Sequence, residues 1–268
     1  MCPTELLFDA DREPRIELLP IQTRASNSGV TEYKKFPEEW HIVPLVVSSP
    51  ETMQEALRHV SETTRVTAEE AANYGFDVGE GDMAAYHIGS DGLVEVPRWR
   101  HAIINYPHPL LKQGLVILDT PGLNAIGTEP ELTLSLLPNA HAVLFILAAD
   151  TGVTQSDLAI WKEHIGDGGV GKRGRMVVLN KIDSMWDELK TEAEIQAEIG
   201  KQADSCATIL GLPARQVFPV SAHKGLVAKI NGDAELLVRS RLPRLETALS
   251  EELIPAKQEI VRDNTEGE

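Results

Sequence analysis

Cysteine is nearly absent from this chain. Cys2 and Cys206 are the only two in 268 residues, and their separation matches no metal-ligand spacing. A disulfide framework and a cysteine zinc site are thereby excluded, and a reducing cytoplasm is the expected compartment. An excess of basic charge is lacking too: 25 Lys and Arg stand against 41 Asp and Glu, a formal net charge of −16. Nucleic-acid backbones and anionic membranes both require cationic surface to displace counterions, so neither is an expected direct partner. Long apolar runs are missing. The longest, AVLFILAA at Ala142–Ala149, falls far short of the roughly 20 residues a spanning helix needs. The start, MCPTELLFDADREP, lacks the basic and apolar regions of a signal peptide.

Several catalytic signatures are absent as well. There is no H-E-x-x-H and no G-x-S-x-G. The Glu pairs at 38–39, 69–70 and 251–252 are sequence neighbours, which splay apart on a helix or strand and read as solvated surface. His101 and His108, in WRHAIINYPHP, read as structural or surface residues.

What is present is an ordinary globular composition, 42% hydrophobic and 25% charged. Apolar runs bounded by polar, Gly or Pro residues predict strands at Arg15–Arg24, Gly114–Asp119, Ala140–Asp150, Arg175–Asp183 and Gln216–Ser221. Helical patterns fall between the later ones, at Thr154–Ile165, Asp187–Leu210 and Asp233–Leu253. The alternation predicts an α/β fold with a mostly parallel sheet covered by helices on both faces, binding its ligand beyond the carboxyl ends of the strands. Residues from about 25 to 112 interrupt that rhythm with one helical stretch, ETMQEALRHVSETTRVTAEEAAN from Glu51, and a strand at Trp99–Asn105. They read as an elaboration of the sheet.

Three motifs at strand ends carry chemistry. In LDTPG, Asp119 is placed to hold Mg²⁺, usually through water, and Gly122 lets a backbone N–H approach a γ-phosphate. In LNKID, Asp183 can accept hydrogen bonds from the ring N–H and exocyclic amine of guanine, a pair that adenine does not present. The Lys181 stem can lie across the purine, and Asn180 can tie the loop to its neighbours. In VSAHKG, a backbone N–H near Ala222 can reach guanine O6 while Ser221 supports the loop. Each motif alone also reads as a simple turn. Their order does not: Asn180 follows Asp119 by 61 residues, and Ser221 follows Asp183 by 38.

A phosphate loop, G-x-x-x-x-G-K-[ST], is missing. The nearest string, Gly166 to Arg173, has no metal-binding hydroxyl at Arg173, precedes a strand, and lies after DTPG. It reads as a helix-to-strand loop.

Taken together, DTPGLN at Asp119, SETTRVTAEEA at Ser61 and VEVPRWRHAIINYPHPLLKQGLVILDTPG resemble the GTPase domain of the dynamin superfamily, in its bacterial dynamin-like branch. The resemblance implies a Ras-like P-loop GTPase fold with a dynamin-type insertion at about 25–112. It also implies that the first strand, the phosphate loop and most of switch I would lie before Met1. Residues 1–250 would be the GTPase domain, and 251–268 the start of a helix leading to a stalk. A switch I threonine is left open between Thr4 and a residue upstream of Met1. The cofactors implied are GTP or GDP and Mg²⁺. The partners implied are guanine nucleotide and further copies of the protein, through GTPase domains and stalk. Membrane contact would come only through other segments, so the location would be cytoplasmic and, for a full-length form, peripheral at a membrane. Without its first strand, such a sheet would have unpaired edges and a tendency to aggregate.

The function expected is therefore GTP binding and hydrolysis linked to membrane remodelling. The alternative is a non-catalytic module with a guanine-nucleotide fold, acting through protein contacts. An ordinary translation-type GTPase fits SAHKG but not the long insertion.

Overall fold

A computed structural model of the chain describes residues 2–26, 28–76, 78–79, 86–119, 140, 142–166 and 174–253. It divides into two compact units, residues 1–133 and 134–268.

The first unit runs β1 (Thr4–Leu7), β2 (Arg15–Pro20), α1 (Val30–Tyr33), β3 (His41–Pro44), α2 (Pro50–Arg58), β4 (Thr63–Thr67), α3 (Ala68–Asn73), β5 (Val78–Gly79), β6 (Tyr86–His87), β7 (Leu93–Pro97), β8 (Trp99–Asn105), α4 (Pro109–Lys112) and β9 (Ile117–Asp119). Five strands form one sheet in the order β3-β2-β8-β1-β9. Within it only β1 and β8 run parallel, and the other three pairings are antiparallel. A mostly parallel sheet was expected, and this unit departs from it. The four-residue α1 between β2 and β3 is too short for the crossover that a parallel connection requires.

Alternation along β2 explains the layering: Ile16 and Leu18 join Ala102, Ile104, Trp99 and Ala56 in one core, while Leu19 turns to the other face with Trp40 and Ile103. β8 is buried at six of its seven positions, as a central strand must be. Asn105 ends it: its amide nitrogen donates to the carbonyls of Asp9, Arg12 and Glu13, which shapes the loop between β1 and β2.

The helical stretch expected over 51–73 is broken. It contains α2, then β4, then α3. The run Thr63-Thr64-Arg65-Val66-Thr67 is rich in β-branched residues, which lose rotamer freedom in a helix, and it pairs antiparallel with β7. Thr67 then opens α3 with a reciprocal capping box to Glu70. Val66, Val94, Val96, Ala71 and Phe76 form a small core of their own. The strand expected to reach Arg24 stops at Pro20 and continues as a 3-10 turn, Ile21–Ala25.

The second unit has β10 (Val143–Ala148), α5 (Gln155–Ile160), β11 (Arg175–Asn180), α6 (Glu192–Leu210), β12 (Val217–Pro219), α7 (Ala222–Asn231), α8 (Ala234–Arg239) and α9 (Leu242–Ala248). Its three strands are parallel, in the order β10-β11-β12. Here the expected architecture holds. Val177 and Leu179 of β11 face a core with Ile195, Ile199, Cys206 and Leu210 of α6. Met176 and Val178 face the opposite core, with Phe218, Val220, Leu245 and Ala248. Helices thus cover both faces, and each fully buried aliphatic side chain contributes about 1.5–3 kcal/mol. Thr191 starts α6 with a capping box to Glu194, which is why the helix begins later than Asp187.

The single helix expected over 233–253 is two helices. Arg241 has left-handed backbone (φ 58°) and Pro243 stands in the first turn of α9. Proline has no N–H to donate and its ring clashes with the carbonyl four residues earlier, so the helix cannot run through. Among the described residues, β9 bonds only to β1 and β10 only to β11, and Ile146 on β10 is 64% exposed. No helix of the described residues is long and apolar enough to cross a membrane.

Candidate functional site

The end of β11 and the loop after β12 meet, and they bring together five of the residues singled out in the sequence. Asn180 closes β11, and its side-chain oxygen accepts from the Lys181 N–H (2.8 Å) and the Ala222 N–H (3.0 Å). Lys181 adopts the left-handed conformation (φ 65°) and leads into a 3-10 turn, Ile182–Met185. That turn is anchored at Ile182, which is fully buried and donates its N–H to the Val220 carbonyl. The Ser184 hydroxyl donates to the Lys181 carbonyl at 2.8 Å, and the Trp186 N–H to that of Asp183 at 3.2 Å. Positive φ at a non-glycine residue is uncommon and clusters at functional sites.

Ser221 is the hinge of the arrangement. Its hydroxyl donates to Asp183 Oδ1 at 2.6 Å and accepts from the Lys224 N–H at 3.2 Å, capping α7. Its own N–H donates to the Ser240 carbonyl. A carboxylate offers about four lone-pair sites. One bond from Ser221 therefore orients Asp183 and leaves acceptor capacity for a second ligand.

A backbone N–H near Ala222 was expected to reach guanine O6. That of Ala222 itself is engaged by Asn180, so its donation to a base would have to share or exchange that bond. Asn180 ties the two loops together, as its sequence position suggests.

Asp119 is the last residue of β9, in the first unit. Desolvation raises its carboxyl above the usual carboxylate range, and a nearby cation would reverse that. Mg²⁺ takes one or two carboxylates and fills its remaining positions with water and phosphate oxygens, so a single strand-end aspartate fits it. Among the described residues no group of three or more His, Cys, Asp or Glu could hold a metal ion. Gly122 and the string Asp167 to Arg173 lie outside the described residues. Thr4 pairs with Asp119 across the antiparallel ladder of β1 and β9. Its side chain is buried, however, and its hydroxyl donates to the Cys2 carbonyl. The two histidines are structural: His101 is buried against Glu5, and His108 accepts from the Leu110 N–H at the start of α4.

Residues 3–182 match the family model described as "Dynamin family". This chain belongs to the dynamin family. As a member of the dynamin superfamily it carries that superfamily's GTPase domain. It is 30% identical over 90 residues to the bacterial dynamin-like protein of Nostoc punctiforme, covering 34% of this chain and 12% of that one. It is 30% identical over 207 residues to the isoniazid-induced protein IniA of Mycobacterium tuberculosis, covering 70% and 29%. A probable transmembrane GTPase, FZO-like and chloroplastic, of Arabidopsis thaliana is 30% identical over 132 residues, covering 47% and 13%. This dynamin-family chain thus spans well under half the length of these relatives. Among solved structures, one of an oligomerised bacterial dynamin pair, which provides a mechanism for long-range sensing and tethering of membranes, covers 97% of this chain and 40% of its own. The TM-score is 0.52 and the identity 16%, a likeness of fold.

Two residues beside this turn carried no motif in the sequence. Trp186 follows the turn that bears Asp183, and Arg239 lies over its ring at 4.2 Å from the centroid. The only sequence signal was a tryptophan three residues after Asp183.

Proposed function

We propose that this chain is the guanine-nucleotide-binding part of a dynamin-like GTPase that binds and hydrolyses GTP. The observation that supports this best is the closed set of bonds Asn180–Ala222 and Ser221–Asp183, which holds the Asp183 carboxylate in one orientation. Preorganised acceptors discriminate because a ligand lacking the matching donors leaves a desolvated carboxylate unpaired. Guanine presents two N–H donors on one edge, matching a carboxylate with one oxygen already oriented by Ser221. The Lys181 stem, on a left-handed backbone, would lie against the purine face.

Asp119 would hold Mg²⁺, which when bound neutralises charge on the phosphates. Gly122 would approach the γ-phosphate through its N–H. Among the described residues β10 pairs along one edge only, and its other edge with the exposed Ile146 suits a strand bearing a phosphate loop. Membrane remodelling, self-association through GTPase domains and stalk, and a cytoplasmic or peripheral location are proposed for the protein of which these residues are part.

The test is fluorescence titration of labelled GDP and XDP, with Mg²⁺, into the unaltered chain and Asp183→Asn. The substitution replaces an acceptor by a donor and should invert the preference toward xanthine, with a loss of guanine affinity of about 1.5–3 kcal/mol. Retained guanine preference would remove Asp183 from the base site. Absence of binding both by the unaltered chain, which is expected to be inactive alone, and by a form extended to carry a phosphate loop would favour the non-catalytic interaction module.

A further inference from the structure

The corner between α8 and α9, Arg239-Ser240-Arg241, touches both base-reading loops. Ser240 is fully buried, and its carbonyl accepts the Ser221 N–H at 2.9 Å. Its hydroxyl donates to the Leu237 carbonyl at 2.6 Å and accepts from the Leu242 N–H at 3.3 Å, so the corner is internally rigid. One residue earlier, the Arg239 guanidinium lies over Trp186 and donates to Glu192 at 3.1 Å. Trp186 in turn packs against the core beside α6, and its N–H closes the turn that carries Asp183. Its indole N–H has no partner among the described residues. Packing against that core and the guanidinium therefore holds the ring.

A plainer reading is that Arg239 only joins α8 to α6 through Glu192. Exposed ion pairs of that kind contribute little, and it leaves the position of the guanidinium over Trp186 unexplained. A planar guanidinium stacks on an aromatic face in a way that an ammonium does not.

We propose that Arg239 and Trp186 are positioning residues, a brace that keeps the Asp183 turn in register with Ser221 and so sharpens selection of the guanine edge. The proposal rests on the guanine-reading role given above. The ring of contacts is closed: Asp183 to Ser221, Ser221 to Ser240, Arg239 to Trp186, and Trp186 back to Asp183. Breaking the Arg239–Trp186 member loosens the turn without touching any group that meets the base.

Two measurements test this on the whole chain. The first is amide hydrogen exchange without nucleotide, in the unaltered protein, Arg239→Ala, Arg239→Lys and Trp186→Phe. Loss of a cation–π contact should speed exchange over residues 181–186 and 221–222 by about 2- to 30-fold in Arg239→Ala. Arg239→Lys should fall between, and Trp186→Phe should stay near the unaltered rate. Amides of β11 should be unchanged in all four. The second is the ratio of GDP to IDP affinity, since IDP lacks the exocyclic amine; Arg239→Ala should lower it by a similar factor. Unchanged exchange over 181–186 in Arg239→Ala overturns the brace, and so does a lysine variant that behaves like the alanine variant in both measurements while Trp186→Phe is equally loosened. Failure to bind guanine nucleotide by both the unaltered chain and a form extended to carry a phosphate loop overturns the function proposed above, while the exchange measurement still decides the brace. Should Arg239→Ala fail to fold, Arg239→Lys carries the same test, and unchanged exchange there overturns the brace.

Discussion

The Ser221 hydroxyl lies 2.6 Å from Asp183 Oδ1 across 38 residues of chain. It links the only two loops that emerge at the carboxyl ends of β11 and β12, and the same oxygen caps α7. Ser221→Ala removes both bonds at once. Hydrogen bonds to charged groups contribute about 1.5–3 kcal/mol and a serine cap about 1 kcal/mol, with water able to replace part of the first at a half-buried carboxylate. The expected loss is about 1–3 kcal/mol by urea denaturation, together with weaker guanine-nucleotide binding. An unshifted urea midpoint would show that the contact is not formed in solution.

Gly225 and Gly200 are both helical glycines, and alanine should act on them with opposite sign. A Cβ at Gly225 would stand 2.7 Å from Leu242 Cδ2, 2.9 Å from Leu242 Cβ and 3.0 Å from Ser240 Oγ. Leu242 Cβ is fixed to its backbone, and Ser240 Oγ is held by its bonds to the Leu237 carbonyl and the Leu242 N–H. Overpacking of about 1–3 kcal/mol outweighs the roughly 1 kcal/mol gain in helix propensity, so Gly225→Ala should lower the urea midpoint. Gly200, inside α6, has open space around it. Gly200→Ala should therefore raise stability by about 0.5–1 kcal/mol.

Glu5 sets an acid limb to stability. Burial pushes its carboxyl up, but hydrogen bonds from His101 and Lys34 outweigh that and bring it from the ordinary 4.5 down to about 2. Lys34 Nζ reaches both carboxylate oxygens, at 2.8 and 2.9 Å, and His101 Nε2 lies at 3.2 Å. Because the folded value is below the unfolded one, this stabilisation is full above about pH 4.5 and is lost as pH falls toward 2. Glu5→Gln should flatten the fall in melting temperature across that window, measured by circular dichroism. A parallel fall in the variant and the unaltered protein would assign the acid limb to other carboxylates.

Much of the second unit was legible because its signals are local. The strands β10, β11 and β12 are short apolar runs, a pattern that depends only on which residues are apolar, and β11 is buried on both faces. Asn180, Lys181, Asp183 and Ser221 were candidates for a related reason: each is a polar residue at or just past the tip of such a run. The first unit was less so. The segment from Glu51 to Asn73 has helix-forming residues at both ends, and β4 exists only because β7, about thirty residues on, offers a partner.

The sequence by itself determined the order of the strand-end motifs, the acidic surface and the parallel strands that carry Asn180 and Ser221 to one side. Only the tertiary structure decided that the Ala222 N–H is held by Asn180 and that Arg239 comes to rest over Trp186. Those contacts join residues 42 and more apart, and nothing in the residue types near either end specifies the other. Their energies of a few kcal/mol or less act only after the cores on the two faces of β11 have packed, because loop closure must be offset by burial before a distant bond can form.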